Sequence, residues 1–142
     1  SYLDLIEIAL KDNGIGFLRL DGKLSVSART TVLNTFKSDP TISVCLVSIK
    51  AGGQGLNFTA ASNVFMMEPQ FNPGVEMQAV DRVHRLGQKR NVKIRKYIMA
   101  NSFEEKIVEL QEKKIKLANL ATGGKAVKQD AKEIFQSLMS LF

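Results

Sequence analysis

The sequence predicts an α/β domain with a mainly parallel sheet and helices on both faces. Apolar runs of strand length alternate with helical patterns along the chain, and the connections between them are only a few residues long. One run, 42–49, is almost continuously apolar, which is typical of a buried parallel strand. Alternation of this kind favours parallel strands joined by crossover helices.

The composition fits one globular domain. The chain has 142 residues, 44% of them apolar, which is enough for a sizeable core. No run of about 18 apolar residues occurs, and the start lacks the pattern of a signal peptide, so we expect no membrane segment. The single cysteine, Cys45, lies in an apolar run and is predicted to be a core thiol in a reducing compartment. Zinc and haem signatures are absent, so no metal ligand is predicted.

The chain begins with a predicted helix and a short strand. Residues 2–10 carry apolar side chains at helical spacing (Leu3, Ile6 and Leu10), and Asn13-Gly14 is a typical helix end. A strand is predicted at 16–20, followed by a turn at Asp21-Gly22.

A second helix and two further strands follow. Either Ser25 or Ser27 caps the helix, which ends before Asp39-Pro40. Its predicted inner face consists of Val32, Leu33 and Phe36. The strand 42–49 leads into the glycine-rich loop AGGQG, and another apolar strand is predicted at about 63–67.

The last elements surround a basic segment. A helix is predicted to begin near Pro73 with Asn72 as its cap, and residues 92–99 alternate between apolar and basic, as in a strand with one wet face. Ser102 and Glu105 have the spacing of a capping box. The long helix that they open carries Ile107, Leu110, Ile115, Leu117 and Leu120 and is predicted to end at Gly123-Gly124.

The segment QAVDRVHRLGQ, 78–88, is predicted to be one helix that Gly87 ends. Helical spacing places Gln78, Arg82 and Arg85 on one stripe, beside an apolar stripe formed by Ala79, Val83 and Leu86. Arginine is the residue expected where a phosphate is held, because its guanidinium offers several donors in a fixed fork. Spacing alone leaves the alternative open that both arginines pair with Asp81 or Glu76 at the surface.

Positive charge is concentrated in one part of the chain. Residues 82–96 contain seven basic side chains and no acidic one. Without these seven, the 20 basic residues of the chain fall to 13 against 14 acidic ones. This distribution indicates a polyanion partner, such as nucleic acid or nucleotide phosphate, although a solvated basic face without a partner is the alternative.

The glycine-rich loop after the predicted buried strand suits backbone contact with an anion. Glycines permit positive φ and bring N–H groups close to a ligand, and Ser48 and Lys50 add a hydroxyl and a charge. A simple tight turn is the alternative. The pattern G-x-x-x-x-G-K-[ST] of a P-loop occurs nowhere in the chain, so a lysine-bearing phosphate cradle is not predicted here.

The motifs DGKLSVSAR, SIKAGGQGLNFTAASNVF, EPQFNP, QAVDRVHRLGQKRNVKIRKYI and SFEEKIVELQEKK resemble, in order, the second RecA-like lobe of Swi/Snf-type helicase-related ATPases. The similarity covers about residues 2–120. It is greatest to the branch of the helicase-like transcription factor and the yeast repair and ubiquitin-ligase translocases. The resemblance implies a lobe at 1–122, with a glycine hinge and helical extension at 123–142.

The resemblance implies a role for each motif residue. Arg82 and Arg85 would reach the ATP γ-phosphate, and Gln78 and Asp81 would position them. His84 would form hydrogen bonds within the motif rather than transfer protons.

The remaining implied roles concern the glycine loop. Gly53 and Gly55 would contact nucleotide and DNA backbone, Ser48 and Lys50 would contact DNA phosphates, and Asn57 would brace the loop. ATP and Mg²⁺ would be bound mainly by a first lobe that this chain lacks.

The sequence departs from the family pattern in three places. Gln70-Phe71 stands where many relatives have a tryptophan-rich pair, and Gln54 replaces a small apolar residue. The chain also begins at the helix that follows the first strand of the lobe, so we expect that strand to be absent.

The resemblance therefore implies the C-terminal lobe of a nuclear, ATP-dependent double-stranded DNA translocase. Its implied partners are DNA, the N-terminal lobe, and chromatin or repair proteins. Two other functions stay open: a non-enzymatic module that binds nucleic acid or protein through its basic segment, and an RNA helicase lobe.

Overall fold

A computed structural model of the chain describes residues 2–49, 51 and 55–122, with side chains described as far as residue 120. The described elements are helices α1 (Tyr2–Asp12), α2 (Val26–Ser38), α3 (Pro73–Asp81) and α4 (Phe103–Thr122), and strands β1 (Gly16–Leu20), β2 (Ile42–Val47), β3 (Asn63–Met66) and β4 (Lys93–Lys96). The predicted α/β alternation is therefore confirmed. No described helix is long and apolar enough to cross a membrane.

The described strands form two small sheets. Strands β1 and β2 pair in parallel, with α2 as the crossover between them. Strand β3 pairs with β4, and α3 lies between them in the chain. The main-chain bonds from Lys93 N to Ser62 O and from Tyr97 N to Met66 O advance along both strands in the same direction, which is parallel pairing. The predicted parallel sheet is thus present as two pairs, each with its own crossover helix, rather than as one continuous ladder among the described residues.

The structure divides into two compact units. Of the described residues, the first unit comprises those within 2–64 and 78–93, and the second comprises 65–77 and 94–122. The buried centre of the first unit consists of Leu20, Ala51, Leu56, Phe58 and Val83. The predicted inner face of α2 packs against this centre. In the second unit the buried side chains include Met66, Glu76, Ile107, Leu110 and Gln111.

Local signals give the beginnings and ends of several elements. Ser25, not Ser27, is the N-cap of α2, because its Oγ accepts a hydrogen bond from Ala28 N at 3.2 Å. At the start of α4, Ser102 Oγ accepts from Glu104 N at 3.1 Å, while Glu105 Oε1 accepts from Asn101 N instead of from Ser102 N. The predicted capping box is therefore present in a form shifted by one residue.

Gly16 occupies a position that no other residue fits. A Cβ at this position would collide with the carbonyl oxygen of Thr41. The register between β1 and β2 also shifts at this point, between Gly16 and Phe17. Close backbone approach therefore explains the glycine at the first residue of β1.

The prediction for Cys45 is confirmed, and the apolar residues of α4 differ in burial. Cys45 packs against the core of the first unit, and burial raises the pKa of its thiol to about 11, in agreement with a core role. Along α4, Ile107 and Leu110 are buried, but Ile115 is exposed over 44% of its surface. The predicted helix end at Gly123-Gly124 and the extension 123–142 lie outside the described residues.

Candidate phosphate and nucleic-acid site

The arginine segment is not one helix. Helix α3 ends at Asp81, and residues 82–87 form turns and bends. Arg82 and Arg85 therefore lie beyond the helix, and the predicted stripe with Gln78 on one helical face is wrong. The apolar stripe is wrong as well, because Val83 is 6% exposed whereas Leu86 is 98% exposed.

Hydrogen bonds from outside the helix explain this early end. The carbonyl oxygen of Arg82 accepts from Phe58 N at 2.9 Å, and that of Val83 accepts from the Gln88 side chain at 3.1 Å. In a continued helix these carbonyls would accept from residues 86 and 87. Gly87, predicted to end the helix, has φ +100° but lies six residues beyond the observed end.

The two arginines have different surroundings. Arg82 is half-buried, and burial lowers the pKa of its guanidinium, while Arg85 is exposed. Among the described residues neither guanidinium has a carboxylate within salt-bridge distance. The alternative of a surface pair with Asp81 or Glu76 is therefore not found in the described structure.

The other motif residues lie near the arginines in sequence and are exposed at the surface. Gln78 and Asp81 are exposed at the end of α3. His84 is exposed, and its main-chain N–H donates to Val80 O at 2.8 Å. Within the described structure, the side chains of these three residues form no hydrogen bond to either arginine.

The glycine loop is described only in part. Ser48 Oγ accepts from Ala51 N at 3.1 Å, and Gly55 has φ +90°, a conformation that favours glycine. Asn57 is exposed, and its Oδ1 accepts from Thr59 N at 2.9 Å, which fixes a local turn. Lys50, Gly53 and Gln54 lie outside the described residues.

A polar surface cleft of about 520 Å³ lies beside residues 82–87, the arginine turn. We call it the basic cleft. Its lining consists of His84, Arg85, Gln88, Lys89, Arg90, Asn91 and Val92, all from the first unit. Three of these side chains are cationic and none is acidic, so the cleft suits an anion. Among the described residues no group of three or more His, Cys, Asp and Glu could hold a metal ion.

The second unit contains a polar network that the sequence did not predict. Glu76 is 8% exposed and forms a salt bridge with Lys96 at 2.5 Å. Gln111, 3% exposed, donates to Glu76 Oε1 at 2.8 Å and to Gln70 O, and accepts from Lys96 at 3.0 Å. Gln70 N also donates to Glu76 Oε1. The partners are too far apart in sequence for any local pattern to reveal them.

This network holds the EPQFN loop that carries the unusual Gln70-Phe71 pair. Lys114 donates to Phe71 O at 3.0 Å, and the Phe71 ring lies 6.2 Å from that of Phe103. Phe71 remains 52% exposed. The loop is thus fixed through its backbone while its aromatic side chain stays accessible.

Comparison with known proteins identifies the family. Residues 1–87 match the model of the helicase conserved C-terminal domain. This chain belongs to that family. The match ends at Gly87 and therefore includes the glycine loop and both arginines of the turn.

Relatives of this helicase C-terminal domain include DNA repair proteins. The DNA repair protein RAD5A of Arabidopsis thaliana is 50% identical over 114 residues, 80% of this chain and 11% of that protein. The ATP-dependent helicase rhp16 of Schizosaccharomyces pombe is 45% identical over 142 residues, 99% of this chain and 16% of that protein. The chain spans 9% to 16% of the length of the curated relatives compared.

A solved structure supports the fold. The C-terminal part of the Fun30 ATPase domain matches with a TM-score of 0.74 and 41% identity, over 77% of this chain and 35% of that chain. The domain is thus a RecA-like helicase C-terminal lobe of the Swi/Snf type, as the motif order implies.

Proposed function

We propose that this chain is the C-terminal lobe of an ATP-dependent double-stranded DNA translocase used in chromatin remodelling or DNA repair. ATP binds between this lobe, residues 1–122, and a first RecA-like lobe that carries the phosphate loop. Arg82 and Arg85 stabilise the charge that develops on the γ-phosphate during hydrolysis. The first lobe would mainly hold Mg²⁺, and the ion would supply further positive charge at this phosphate.

The observation that carries this proposal is the state of Arg82. Its guanidinium is half-buried and partly desolvated, yet no carboxylate in the described structure pairs with it. Desolvation of a cation without a counter-ion costs free energy, which a bound anion offsets. Arg85, three residues later and exposed, supplies a second fork for the same phosphate.

DNA contact is assigned to the loop that precedes the arginines. Ser48, Lys50 and Asn57 contact the phosphate backbone, and Gly53 and Gly55 allow close approach of the main chain. Gln78 and Asp81 orient the arginines once the two lobes close. Contacts of this kind bind the backbone with little base preference. The protein acts in the nucleus with chromatin or repair proteins.

The arginine assignment is tested with Arg85→Ala in a protein that carries both lobes. We expect the DNA-stimulated ATPase rate to fall about a thousandfold, while ATP binding persists through the first lobe. Lys37→Ala is the control, because Lys37 is an exposed cation near the end of α2 and lies outside the cleft. A normal rate in Arg85→Ala would refute the finger assignment.

Reconstitution separates the enzyme from a non-enzymatic binding module. The ATPase of this chain is measured alone and after the first lobe is added, with duplex DNA present. Activity that requires both lobes supports the enzyme, whereas DNA binding without ATPase in either case supports the binding module. Competition by duplex RNA in the same assay tests the RNA helicase alternative.

A further inference from the structure

The Gln88 side chain joins three separate places in the first unit. Its Nε2 donates to Ala61 O at 2.7 Å and to Val83 O at 3.1 Å, and its Oε1 accepts from Arg90 N at 3.0 Å. A glutamine amide has two donor hydrogens and one acceptor oxygen. Both donors and the acceptor are therefore in use on a half-buried side chain.

The Gln88 bonds belong to a longer seam of contacts. These bonds join residues 58–62, the loop that follows the glycine-rich loop, to residues 82–93, which include the arginine turn. Phe58 N donates to Arg82 O, the Arg90 guanidinium donates to Ala60 O, and Lys93 N donates to Ser62 O. Among the residues of the seam, Gln88 bonds to the loop at Ala61, to the arginine turn at Val83, and to Arg90, which follows the turn.

Gln88 also opposes an alternative conformation that the local sequence favours. The spacing of residues 78–88 is helical, and continued helix would require the Val83 carbonyl as an acceptor. The Gln88 side chain instead bonds that carbonyl and Ala61 O together, which links the turn to the loop. Loss of this side chain removes the link and frees Arg82 and Arg85 to take other positions.

We infer that Gln88 is a positioning residue for ATP hydrolysis, because its carboxamide holds the turn of Arg82 and Arg85 against the loop that follows Asn57. This inference rests on the proposed role of the two arginines at the γ-phosphate. Gln88 acts through the two arginines. It keeps their guanidinium groups in place for the transition state, whose stabilisation falls most when a charged group is misplaced.

Two substitutions of Gln88 test the inference in a protein that carries both lobes. Gln88→Glu keeps the acceptor but replaces both donors with a carboxylate that faces two carbonyl oxygens. Gln88→Met keeps the length and removes all three hydrogen bonds without adding charge. For both we expect kcat of the DNA-stimulated ATPase to fall about ten- to hundredfold. We expect KM for ATP and DNA affinity to change by less than about twofold, because ground-state binding lies elsewhere.

Asn34→Asp is the matched control for Gln88→Glu. It makes the same change from amide to carboxylate in the first unit but outside the basic cleft, on an exposed side chain of α2 without a side-chain hydrogen bond in the described structure. We expect its kcat to stay within about twofold of the parent, since it touches none of the seam. An equal loss of kcat in Asn34→Asp, together with parent kcat in Gln88→Met, would overturn the inference, because the added charge would then explain the result.

A parallel Arg85→Ala variant distinguishes failure of the Gln88 role from failure of the arginine assignment. Wild-type kcat in both Gln88 variants, with Arg85→Ala inactive, would overturn the role of Gln88 and leave the arginine assignment intact. Normal activity in Arg85→Ala would instead refute the proposed function. A rise in KM without a fall in kcat would also overturn the inference. If thermal melting shows that Gln88→Glu does not fold, the uncharged Gln88→Met decides by the same kcat criterion.

Discussion

Glu76 in α3 and Lys96 at the end of β4 form a 2.5 Å salt bridge in the second unit. Burial raises the pKa of Glu76, but hydrogen bonds from Lys96, Gln70 N and Gln111 outweigh it, so the net pKa lies below the ordinary 4.5. The carboxylate also anchors the main chain at Gln70. One buried charge therefore fixes a helix, a strand and the EPQFN loop together.

Glu76→Gln is expected to destabilise the protein at neutral pH by about 1–3 kcal/mol, because the substitution removes charge-assisted bonds to a buried group. The folded-state pKa of Glu76 is lowered, so its stabilisation is fully present above the unfolded pKa and is lost as pH falls through the folded pKa. Urea unfolding is measured from neutral pH down to about pH 3. The free energies of unfolding of the variant and the parent should become equal at the acid end of this range.

The control for this experiment is Glu112→Gln, the residue next to Gln111 on α4 but with an exposed side chain. It should change stability by less than about 0.5 kcal/mol and leave the acid dependence unchanged. A Glu76→Gln protein as stable as the parent at neutral pH would contradict the prediction.

Gly87→Ala is expected to destabilise the arginine turn by about 1–2 kcal/mol, because φ of +100° places a Cβ close to its own backbone. Gly22→Ala is the control. At both positions a Cβ would meet no other atom within 4 Å, but only Gly87 has the positive φ. Thermal unfolding of both variants measures the difference, and equal stabilities would show that backbone strain at Gly87 is unimportant.

Lys89→Gln is expected to lower the slope of log affinity for duplex DNA against log salt by about 0.9, the value for one phosphate contact. Lys89 is exposed in the basic cleft, whereas Lys37 is exposed near the end of α2. Lys37→Gln makes the same change of charge outside the cleft and should leave the slope of log affinity against log salt unchanged. Fluorescence anisotropy over a salt series measures both, and equal losses would assign binding to net charge rather than to the cleft.

The sequence by itself determined the alternation of elements and many of their limits. Apolar spacing predicted the inner face of α2, and Ser25, Asn13-Gly14 and Pro73 marked helix ends in agreement with the structure. These signals are readable because each depends on residues within one or two turns of each other. Motif order also indicated the family, and the match of residues 1–87 to the helicase C-terminal domain confirms it.

Only the tertiary structure decided where α3 ends and what Glu76 binds. Residues 78–88 have helical spacing, yet Phe58 N and the Gln88 side chain occupy the carbonyls of Arg82 and Val83 and end the helix at Asp81. In the described structure Glu76 likewise bonds to Lys96 and Gln111, although Arg82 and Arg85 are nearer to it in sequence. A main-chain carbonyl or a buried carboxylate binds the donor that folding brings to it, and a donor from a distant segment leaves no mark in the local pattern.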